Sequence, residues 1–479
     1  MPARVWILWL LFLVRGAFYC SLLPLWEGWD EYAHVAFIQH WITAGTLPRP
    51  TDGISRELDE SMRLGPLPAE LRWIGPPYLT HEQWWRLGEA ERAQRRNALR
   101  TLPPAWAGQP ALHKFDSYEA QQPPLYYWLL SIPARAAAGW PLEERVRLLR
   151  WLSVLLASLT LPFTWLAARE TLPEKLRLIP VALLAVAPGF AIDVSRVAND
   201  ALLIPAAAAF LWLLARRRAS AATGVALGIA ILAKASGLAL FPAIVLLWFR
   251  KARRELAAAV VIGLAIGGWW YMGNLLAGRS LTGWILDKGL TATFQGIRQI
   301  NWLSALDVEA KTFLWFGGWS FLTLKSWMYR VPEALALAAL AGLALRRPAR
   351  LAAPLVFMLA ASVAFGWGIP AYFAAQGVPN LPGWYMWPFA PALGILFTAG
   401  LARGSSMMVI VLALLDVYGA GAVMAPYYAG LQLHNHASFA LLPQALVRLE
   451  IAWPLFVAWL AATLAIPVLI LANRRNVVT

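Results

Sequence analysis

Residues 5–35 read VWILWLLFLVRGAFYCSLLPLWEGWDEYAHV, an apolar run that is followed at once by adjacent acids. The run is long enough for one membrane-spanning helix, which needs ~20 apolar residues. Charged side chains are costly inside a bilayer and cost little at its surface. Asp30 and Glu31 therefore mark the point at which the first helix leaves the membrane.

The rest of the chain repeats the apolar pattern. Of 479 residues, 59% are hydrophobic and 14% are charged, whereas soluble domains carry about 25% charged residues. The sequence predicts an all-α polytopic membrane protein, one transmembrane domain over residues 1–479 with about 12 crossings. The predicted spans are Val5–Leu25, Trp151–Ala168, Ile179–Val197, Ala201–Ala215, Thr223–Ala233, Leu238–Phe249, Leu256–Leu276, Ala334–Leu345, Leu351–Ile369, Pro388–Leu401, Met407–Met424 and Ile451–Leu471.

Two long polar and aromatic segments interrupt the spans, residues 26–150 and residues 277–330. The first is predicted to carry two surface helices. Glu31–Ala44 is amphipathic and ends before glycine. Thr80–Arg100 opens with a capping box from Thr80 to Gln83 and ends before a pair of prolines. Pro124–Ala138 is apolar but short, so we interpret it as a surface or re-entrant helix. If it crossed the membrane, every later basic loop would change sides.

Basic residues cluster in the short loops between spans, and counting crossings places all of them on the side of the N-terminus. The positive-inside rule makes that side cytoplasmic. Both termini are then cytoplasmic and both long segments extracytoplasmic. The net charge of +15 follows from these loops, so it does not call for a nucleic-acid partner. The loop residues are Arg4, Arg169, Lys175, Arg177, Arg216, Arg217, Arg218, Arg250, Lys251, Arg253, Arg254, Arg346, Arg347, Arg350, Arg403, Arg474 and Arg475.

Asp30, Glu31 and His34 form the first candidate site. On a helix, Asp30 and His34 share a face, while Glu31 points about 100° away. A structural alternative is equally open at this point. Asp30 would then cap the surface helix, and Glu31 would add favourable negative charge at its N-terminus.

The second candidate is the run YEAQQPPLYY at residues 118–127. Paired prolines stop the preceding segment and begin a helix at its first turn. They would hold Glu119 and Gln122 at the membrane surface. The alternative is an ordinary helix start followed by interfacial tyrosines.

The third candidate is RVAND at residues 196–200, in a short extracytoplasmic loop between two spans. It offers Arg196, Asn199 and Asp200 as polar groups at the membrane surface. The alternative is a helix cap, with Asn199 or Asp200 beginning the next span.

The fourth candidate is Lys234, in ILAKASG at residues 231–237. It lies between two short apolar halves that resemble a broken hairpin. An ammonium there is costly unless it faces water, an acid or a phosphate, so we favour function over snorkelling to the interface. The predicted topology brings all four candidates to the same extracytoplasmic face.

These motifs resemble the GT-C class of glycosyltransferases, integral membrane enzymes that use polyprenyl-linked sugars. The resemblance is carried by the acid pair after the first helix, the E-x-x-Q-P-P-L-Y-Y run, the S-x-x-x-N-D turn from Ser195 to Asp200, and the A-K-x-S-G hairpin. The bacterial protein O-mannosyltransferase and aminoarabinose transferase families are similar, as is an uncharacterised family with the same D-E-x-x-H spelling. The likeness covers roughly the first 280 residues and, later, the run from Trp384 to Pro388.

The resemblance implies that Asp30 acts as general base or orients the acceptor nucleophile, and that a second catalytic acid, Asp200, faces the same cavity. It implies no definite cofactor, although some relatives bind a divalent metal near these acids, for which Glu31, His34 and Glu119 are the candidate ligands. The residues that it assigns to substrate binding are Glu31, Glu119, Gln122, Arg196, Asn199 and Lys234.

The implied partners are a polyprenyl-phosphate-linked sugar donor and an acceptor that is a glycan, a lipid or a protein. The implied location is the bacterial inner membrane, with the site on its extracytoplasmic face. Cations would stabilise the developing charge on the leaving phosphate. The chain departs from its relatives at Gln122, where many have His or Lys, and at Trp384, where many have Arg.

Other functions and pairings stay open at this stage. A transporter or flippase for lipid-linked glycans, a polymerase or ligase of such glycans, and a non-catalytic scaffold also fit a multi-helix bundle. Arg15 and Asp416 lie in mid-span, where ions usually face the bundle interior and pair, so each is expected to have an interior partner, with the other as a candidate. His434 and His436 are interpreted as loop polarity rather than as a metal site.

Overall fold

The structure is a computed structural model that describes residues 1–104, 116–216, 221–250, 252–283, 289–346, 350–368 and 382–475. The following helices are found in these ranges, in chain order. They are α1 (Ala3–Leu22), α2 (Glu31–Ala44), α3 (Arg56–Leu64), α4 (His81–Trp85), α5 (Glu89–Arg100), α6 (Leu125–Ala136), α7 (Leu142–Ser158), α8 (Thr160–Thr171), α9 (Leu178–Val186), α10 (Pro188–Val194), α11 (Asp200–Ala215), α12 (Ala221–Ala233), α13 (Val245–Phe249), α14 (Arg253–Gly263), α15 (Trp269–Leu276), α16 (Gly289–Gln299), α17 (Trp302–Leu314), α18 (Ser326–Arg346), α19 (Ala352–Val363), α20 (Ala390–Leu401), α21 (Ser405–Tyr418), α22 (Ala425–Tyr428), α23 (Leu442–Arg448) and α24 (Trp453–Arg475).

The described helices confirm an integral membrane protein of the all-α class. Six stretches are long and apolar enough to cross a bilayer, and the bent pair Glu174–Val186 and Pro188–Val194 makes a seventh if it forms one span. The six are Ala3–Leu22, Leu142–Thr171, Arg253–Leu276, Ser326–Arg346, Gly383–Tyr428 and Trp453–Asn473.

Shorter apolar helices, such as α11 and α12, occupy other predicted spans. The stretch Gly383–Tyr428 contains two predicted spans, which a turn with positive φ at Ala402 separates. The total of about 12 crossings stays a prediction. Ile369, the predicted end of one span, and the basic loop residues Arg217, Arg218, Lys251 and Arg347 lie outside the described residues.

The first long segment is folded and largely helical. Helix α2 packs against α6, and a short parallel pair, β1 (Pro66–Leu67) with β2 (Leu79–Thr80), lies between α3 and α4. Helix α7 begins at Leu142, before the predicted span, because an acidic first turn follows Pro141.

The predicted helix Thr80–Arg100 is two helices rather than one. The capping box from Thr80 to Gln83 is present and begins α4. Gly88 then interrupts the helix and serves as the N-cap residue of α5. Arg92 donates hydrogen bonds to the carbonyls of Trp85 and Leu87, which the break leaves without helical partners.

The two mid-span charges pair, as the sequence predicts. Arg15 Nη2 lies 3.0 Å from Asp416 Oδ2, and both side chains are fully buried. Thr463 donates to Asp416 at 3.1 Å, and Arg15 donates to the carbonyl oxygen of Val186 at 3.0 Å. The pair joins α1, α9, α21 and α24 in the bundle interior.

A second buried network anchors the turn that follows α1. The Glu27 carboxylate accepts hydrogen bonds from Ser320 N at 2.7 Å and from the Tyr428 hydroxyl at 3.1 Å, and it contacts His81 Nε2 at 2.9 Å. These partners lie at the start of α4, at the end of α22 and in the segment between α17 and α18. One buried acid therefore fixes the surface elements around the residues that precede Asp30.

Candidate active site

Asp30 lies at the entrance to α2 in an unusual backbone conformation. Its φ of 59° and ψ of 7° place it in the left-handed region, which Asp adopts more readily than most residues. Its backbone oxygen accepts from Ala33 and His34, so the backbone begins the helix. The side chain makes no capping hydrogen bond, and the capping alternative for Asp30 is not what the structure shows.

The Asp30 carboxylate is half-buried and unpaired. Within the described ranges, it has no hydrogen-bond or ion-pair partner. Burial raises its pKa to about 6, against the lowering effect of Arg196 and Lys234 and with a further rise from Asp200. A carboxylate with this pKa is ionised at neutral pH and can accept a proton.

Arg150 holds the Glu31 carboxylate. The Arg150 Nε donates to one Glu31 oxygen at 2.7 Å and Nη2 to the other at 2.6 Å. Val197 N donates to Glu31 Oε1 at 2.9 Å. Both oxygens of this fully buried carboxylate are thus engaged by protein groups, and we now propose a structural role for Glu31 instead of substrate binding.

His34 is also engaged, through a contact of 2.9 Å between its Nδ1 and the Tyr127 hydroxyl. Burial lowers the pKa of His34 well below its usual range, so the ring is neutral at pH 7. Nowhere in the described ranges do three or more His, Cys, Asp or Glu side chains come together as a metal would require. Glu31 and His34 therefore do not fit the divalent metal that some relatives bind, and the mechanism below includes none.

Asp200, at the first position of α11, joins the two site cations. Lys234 Nζ lies 2.6 Å from Asp200 Oδ2, and Arg196 Nη2 lies 3.0 Å from the same oxygen. Arg196 also contacts Asp193 Oδ1 at 3.1 Å. All four side chains are buried, which makes each charge dependent on the others.

Arg196 is fixed on an aromatic face. Its guanidinium lies 4.1 Å from the Trp29 ring centroid and donates to the Trp29 backbone oxygen at 3.0 Å. This stacking connects the cation to the residue directly before Asp30. Trp29 in turn contacts Trp384, with ring centroids 5.2 Å apart. Trp384, at the position where relatives often have arginine, is thus an aromatic residue in the wall of the same site.

Lys234 stands at the break of the predicted hairpin, which the structure confirms. Helix α12 ends at Ala233, Lys234 is extended, and a 3₁₀ segment over Ala235–Ile244 follows. A side chain at Gly237 would meet Ala230 O at 2.5 Å, so the hairpin needs glycine there. The ammonium lies 5.5 Å from the Tyr385 ring centroid.

Glu119 is the third carboxyl of the site. It lies in the 3₁₀ segment Tyr118–Gln121 and is 5% exposed, and its Oε2 has no partner within the described ranges. Burial and then the charge of Asp30 raise the pKa of Glu119 to about 8. Glu119 is therefore a neutral carboxylic acid at pH 7 and offers a hydrogen-bond donor.

Gln122 and Asn199 contact each other. Asn199 Nδ2 donates to Gln122 Oε1 at 3.3 Å, which connects the double-proline run to the loop before α11. Asn199 Oδ1 is buried and lacks a partner in the described part of the chain. Asp193 Oδ2 and Arg196 Nε are also buried and have no hydrogen-bond partner among the described residues. Such buried polar atoms require an explanation, and a bound polar ligand supplies one.

Sequence reasoning missed several residues of this site. Asp193 and Arg150 each contact a predicted residue, and Trp29 and Tyr385 contact the two cations. The spacing of three between Asp193 and Arg196 is a usable helical signal. Arg150 gives no such signal, because its partner Glu31 is distant in sequence.

The fold and part of the sequence match known proteins. A family model described as dolichyl-phosphate-mannose-protein mannosyltransferase matches residues 121–269, which include Gln122, Arg196, Asp200 and Lys234. A search of curated proteins finds no match.

Two solved structures of ArnT from Cupriavidus metallidurans are similar along nearly the whole chain. The form bound to undecaprenyl phosphate is 17% identical with a TM-score of 0.51, covering 99% of this chain and 78% of that one. The apo form is 17% identical with a TM-score of 0.48, covering 99% and 76%. The first likeness shows the fold, and the second is too low to carry an argument.

The archaeal oligosaccharyltransferase AglB from Archaeoglobus fulgidus, in complex with an inhibitory peptide and a dolichol-phosphate, is more distant. It is 14% identical with a TM-score of 0.38, covering 95% of this chain and 56% of that one, and it adds no argument. The shared fold with ArnT and the partial family match together support the class that the motifs resemble. That class is the GT-C glycosyltransferases that depend on polyprenyl phosphate.

Proposed function

We propose that the protein transfers a sugar from an undecaprenyl-type phosphate carrier to an acceptor hydroxyl, with Asp30 as the general base. The observation that carries this proposal is the unpaired Asp30 carboxylate beside Arg196 and Lys234, whose charges lower its pKa. ArnT, whose fold the chain shares, was solved with undecaprenyl phosphate bound. A polyprenyl phosphate headgroup and a membrane-surface site with two cations are chemically matched.

The proposed reaction is a single displacement. Asp30 takes the proton of the acceptor hydroxyl, whose oxygen forms a bond to the anomeric carbon. The bond from that carbon to the phosphate oxygen breaks, and its electron pair leaves with the polyprenyl phosphate. One displacement inverts the anomeric centre.

Lys234 and Arg196 stabilise the leaving phosphate in this scheme. Asp200 contacts both cations, so we propose that it orients them, and that it does not itself take a proton from the acceptor. Neutral Glu119 donates a hydrogen bond to the sugar or to the phosphate. Gln122 and Asn199 complete the polar wall.

We further propose that the site faces the extracytoplasmic side of the bacterial inner membrane, with both termini cytoplasmic. The support is the bias of Lys and Arg towards the short loops. The proposed acceptor is a glycan, a lipid or a protein.

The proposal is tested by comparing cells that produce the wild-type protein with cells that lack it or carry Asp30→Asn. Mass spectrometry of surface glycans and of polyprenyl-linked sugars identifies the product and the unused donor. We expect Asp30→Asn to abolish transfer while donor-lipid binding by the purified protein is kept. Glu89→Gln, at an acid that is 83% exposed on α5, is the control and should behave as wild type.

The alternatives give different results. Full transfer by the Asp30→Asn variant would refute the base assignment. An intact lipid-linked sugar that accumulates on the cytoplasmic side would indicate a flippase. If cells that lack the protein accumulate a donor with a single sugar unit while the chain length of their surface glycans is unchanged, the protein is not a polymerase.

A further inference from the structure

An apolar cavity of about 330 Å³ lies between α9, α17, α18, α20 and α21, and its lining includes none of Asp30, Asp200 and Lys234. Its walls include Leu184, Phe313, Trp387, Leu393 and Leu412. Trp387 stacks on Phe313 at 4.3 Å between ring centroids. Ligand sites are typically apolar cavities of this size with a few polar groups.

Two carboxyl groups lie among the described residues that line this cavity, Glu309 on α17 and Glu333 on α18. The carboxyl group of Glu309 has no hydrogen bond or ion pair with any described residue, and burial raises its pKa to about 7. Glu333 Oε2 contacts Arg330 at 2.6 Å, but Oε1 is buried and has no partner within the same ranges. A buried carboxylate oxygen without a donor is costly.

A cation lies beside this acidic end of the cavity. Arg330 is 59% exposed, and its Nη1 contacts both Glu333 and Asp307, the latter at 3.1 Å. Its other N–H groups are available to a ligand, because a guanidinium carries five. Asp307 is also paired with Lys311. The carboxyl group of Glu309 is therefore left without a cation of its own, although a positive charge lies close by at Arg330.

The surroundings of the cavity are those of a lipid-facing surface. Leu303 and Leu306 on α17 are 84% and 52% exposed. Leu337 and Leu340 on α18 are also exposed, and α18 is one of the candidate spans. An apolar cavity next to such a surface is accessible to the chains of membrane lipids.

We propose that this cavity holds one acyl chain of a phospholipid whose head group carries a primary ammonium. The ammonium binds Glu309 and Glu333 Oε1, and the phosphate binds Arg330. A primary ammonium has N–H donors for the orphan oxygen, whereas a trimethylated choline has none. An anionic lipid without an amine would bring only negative charge to the two carboxyls. This site is independent of the proposed transfer reaction.

The test is native mass spectrometry of the purified full-length protein with phospholipids of identical chains. Phosphatidylethanolamine, phosphatidylcholine and phosphatidylglycerol are the probes. We expect ethanolamine lipid to bind about tenfold more tightly than choline lipid, the size of one charge-assisted hydrogen bond. Equal binding of ethanolamine and choline lipids by the wild-type protein would overturn the proposal, whatever the outcome of the transfer assay.

Variants locate the site. The pair Glu309→Gln and Glu333→Gln together should reduce binding of ethanolamine lipid to that of choline lipid, while Glu174→Gln, in the loop before α9, leaves the preference unchanged. Ala336→Phe places a ring in the cavity and should weaken all three lipids, whereas Ala338→Phe, which does not line it, should not. If the double variant Glu309→Gln and Glu333→Gln and the variant Ala336→Phe both keep the tenfold preference for ethanolamine lipid, the lipid binds elsewhere. That result would refute the assignment.

Discussion

Arg150 holds both carboxylate oxygens of Glu31, at 2.7 Å and 2.6 Å. The same guanidinium donates to the backbone oxygens of Leu23 at 2.6 Å and Pro24 at 2.8 Å. One side chain of α7 thus fixes the end of α1 and the beginning of α2. The acid next to Asp30 holds the turn in place, and this leaves Asp30 as the free carboxylate of the pair.

Removing one partner of this buried pair should destabilise the protein strongly. Arg150→Ala leaves the Glu31 charge buried and uncompensated, which typically costs about 3–5 kcal/mol. The apparent unfolding temperature in detergent should fall well below that of the wild type. Arg147→Ala, at an exposed position of the same helix, should change stability by no more than about 0.5 kcal/mol.

A milder variant separates stability from chemistry. Glu31→Gln keeps the shape and some of the hydrogen bonds, so the protein should fold and retain transfer activity at reduced stability. If Glu31→Gln abolished transfer in a protein of unchanged stability, Glu31 would belong to the reaction and not to the scaffold.

The Arg15–Asp416 pair should show strong coupling in a double-mutant cycle. Arg15→Ala or Asp416→Ala alone leaves one ion in the bundle interior, while the double substitution leaves none. The double variant should therefore be more stable than the sum of the single effects predicts, by about 0.5–3 kcal/mol. Additive effects on detergent stability would show that each charge is satisfied by its other partners.

The sequence was sufficient for the features that local chemistry decides. Periodicity and length predict the helices, the capping box places the start of α4, and the cost of an isolated charge brings Lys234 and an acid together. Pairing across distant segments is a different matter, because many acids and cations are available. Arg150 could have met several carboxylates, and only tertiary packing selects Glu31. The left-handed conformation of Asp30 could not be predicted either, because the same sequence is also consistent with a helix cap.

The rate of transfer should depend on pH through Asp30 and Glu119. A general base acts only when deprotonated, so the rate should rise with pH through about 6, the pKa of Asp30. Glu119 donates only when protonated, so the rate should fall as pH rises through about 8, its own pKa. A bell-shaped profile of kcat/KM is the expected measurement.

Glu119→Gln is the variant that distinguishes the two limbs of this profile. The amide stays a donor at all pH values, so the acid limb should persist and the alkaline limb should disappear. An alkaline limb that survives Glu119→Gln would assign it to another group. A rate that is flat between pH 5 and 7 would contradict Asp30 as the base.

The hairpin at Lys234 offers a test of how the donor phosphate is held. Gly237→Ala would place a methyl group 2.5 Å from Ala230 O and 2.7 Å from the attached carbon, both backbone atoms that cannot move aside easily. The hairpin must then open, and Lys234 moves relative to Asp200. We expect the affinity for polyprenyl phosphate, measured by native mass spectrometry, to fall about tenfold or more, as the loss of one charge-assisted contact implies.

Gly273→Ala is the matched control, because an added methyl group there meets no atom within 4 Å. In the interior of α15 the same substitution should leave affinity unchanged and raise helix stability by up to about 1 kcal/mol. Wild-type affinity in the Gly237→Ala variant would mean that the ammonium of Lys234 does not contact the donor.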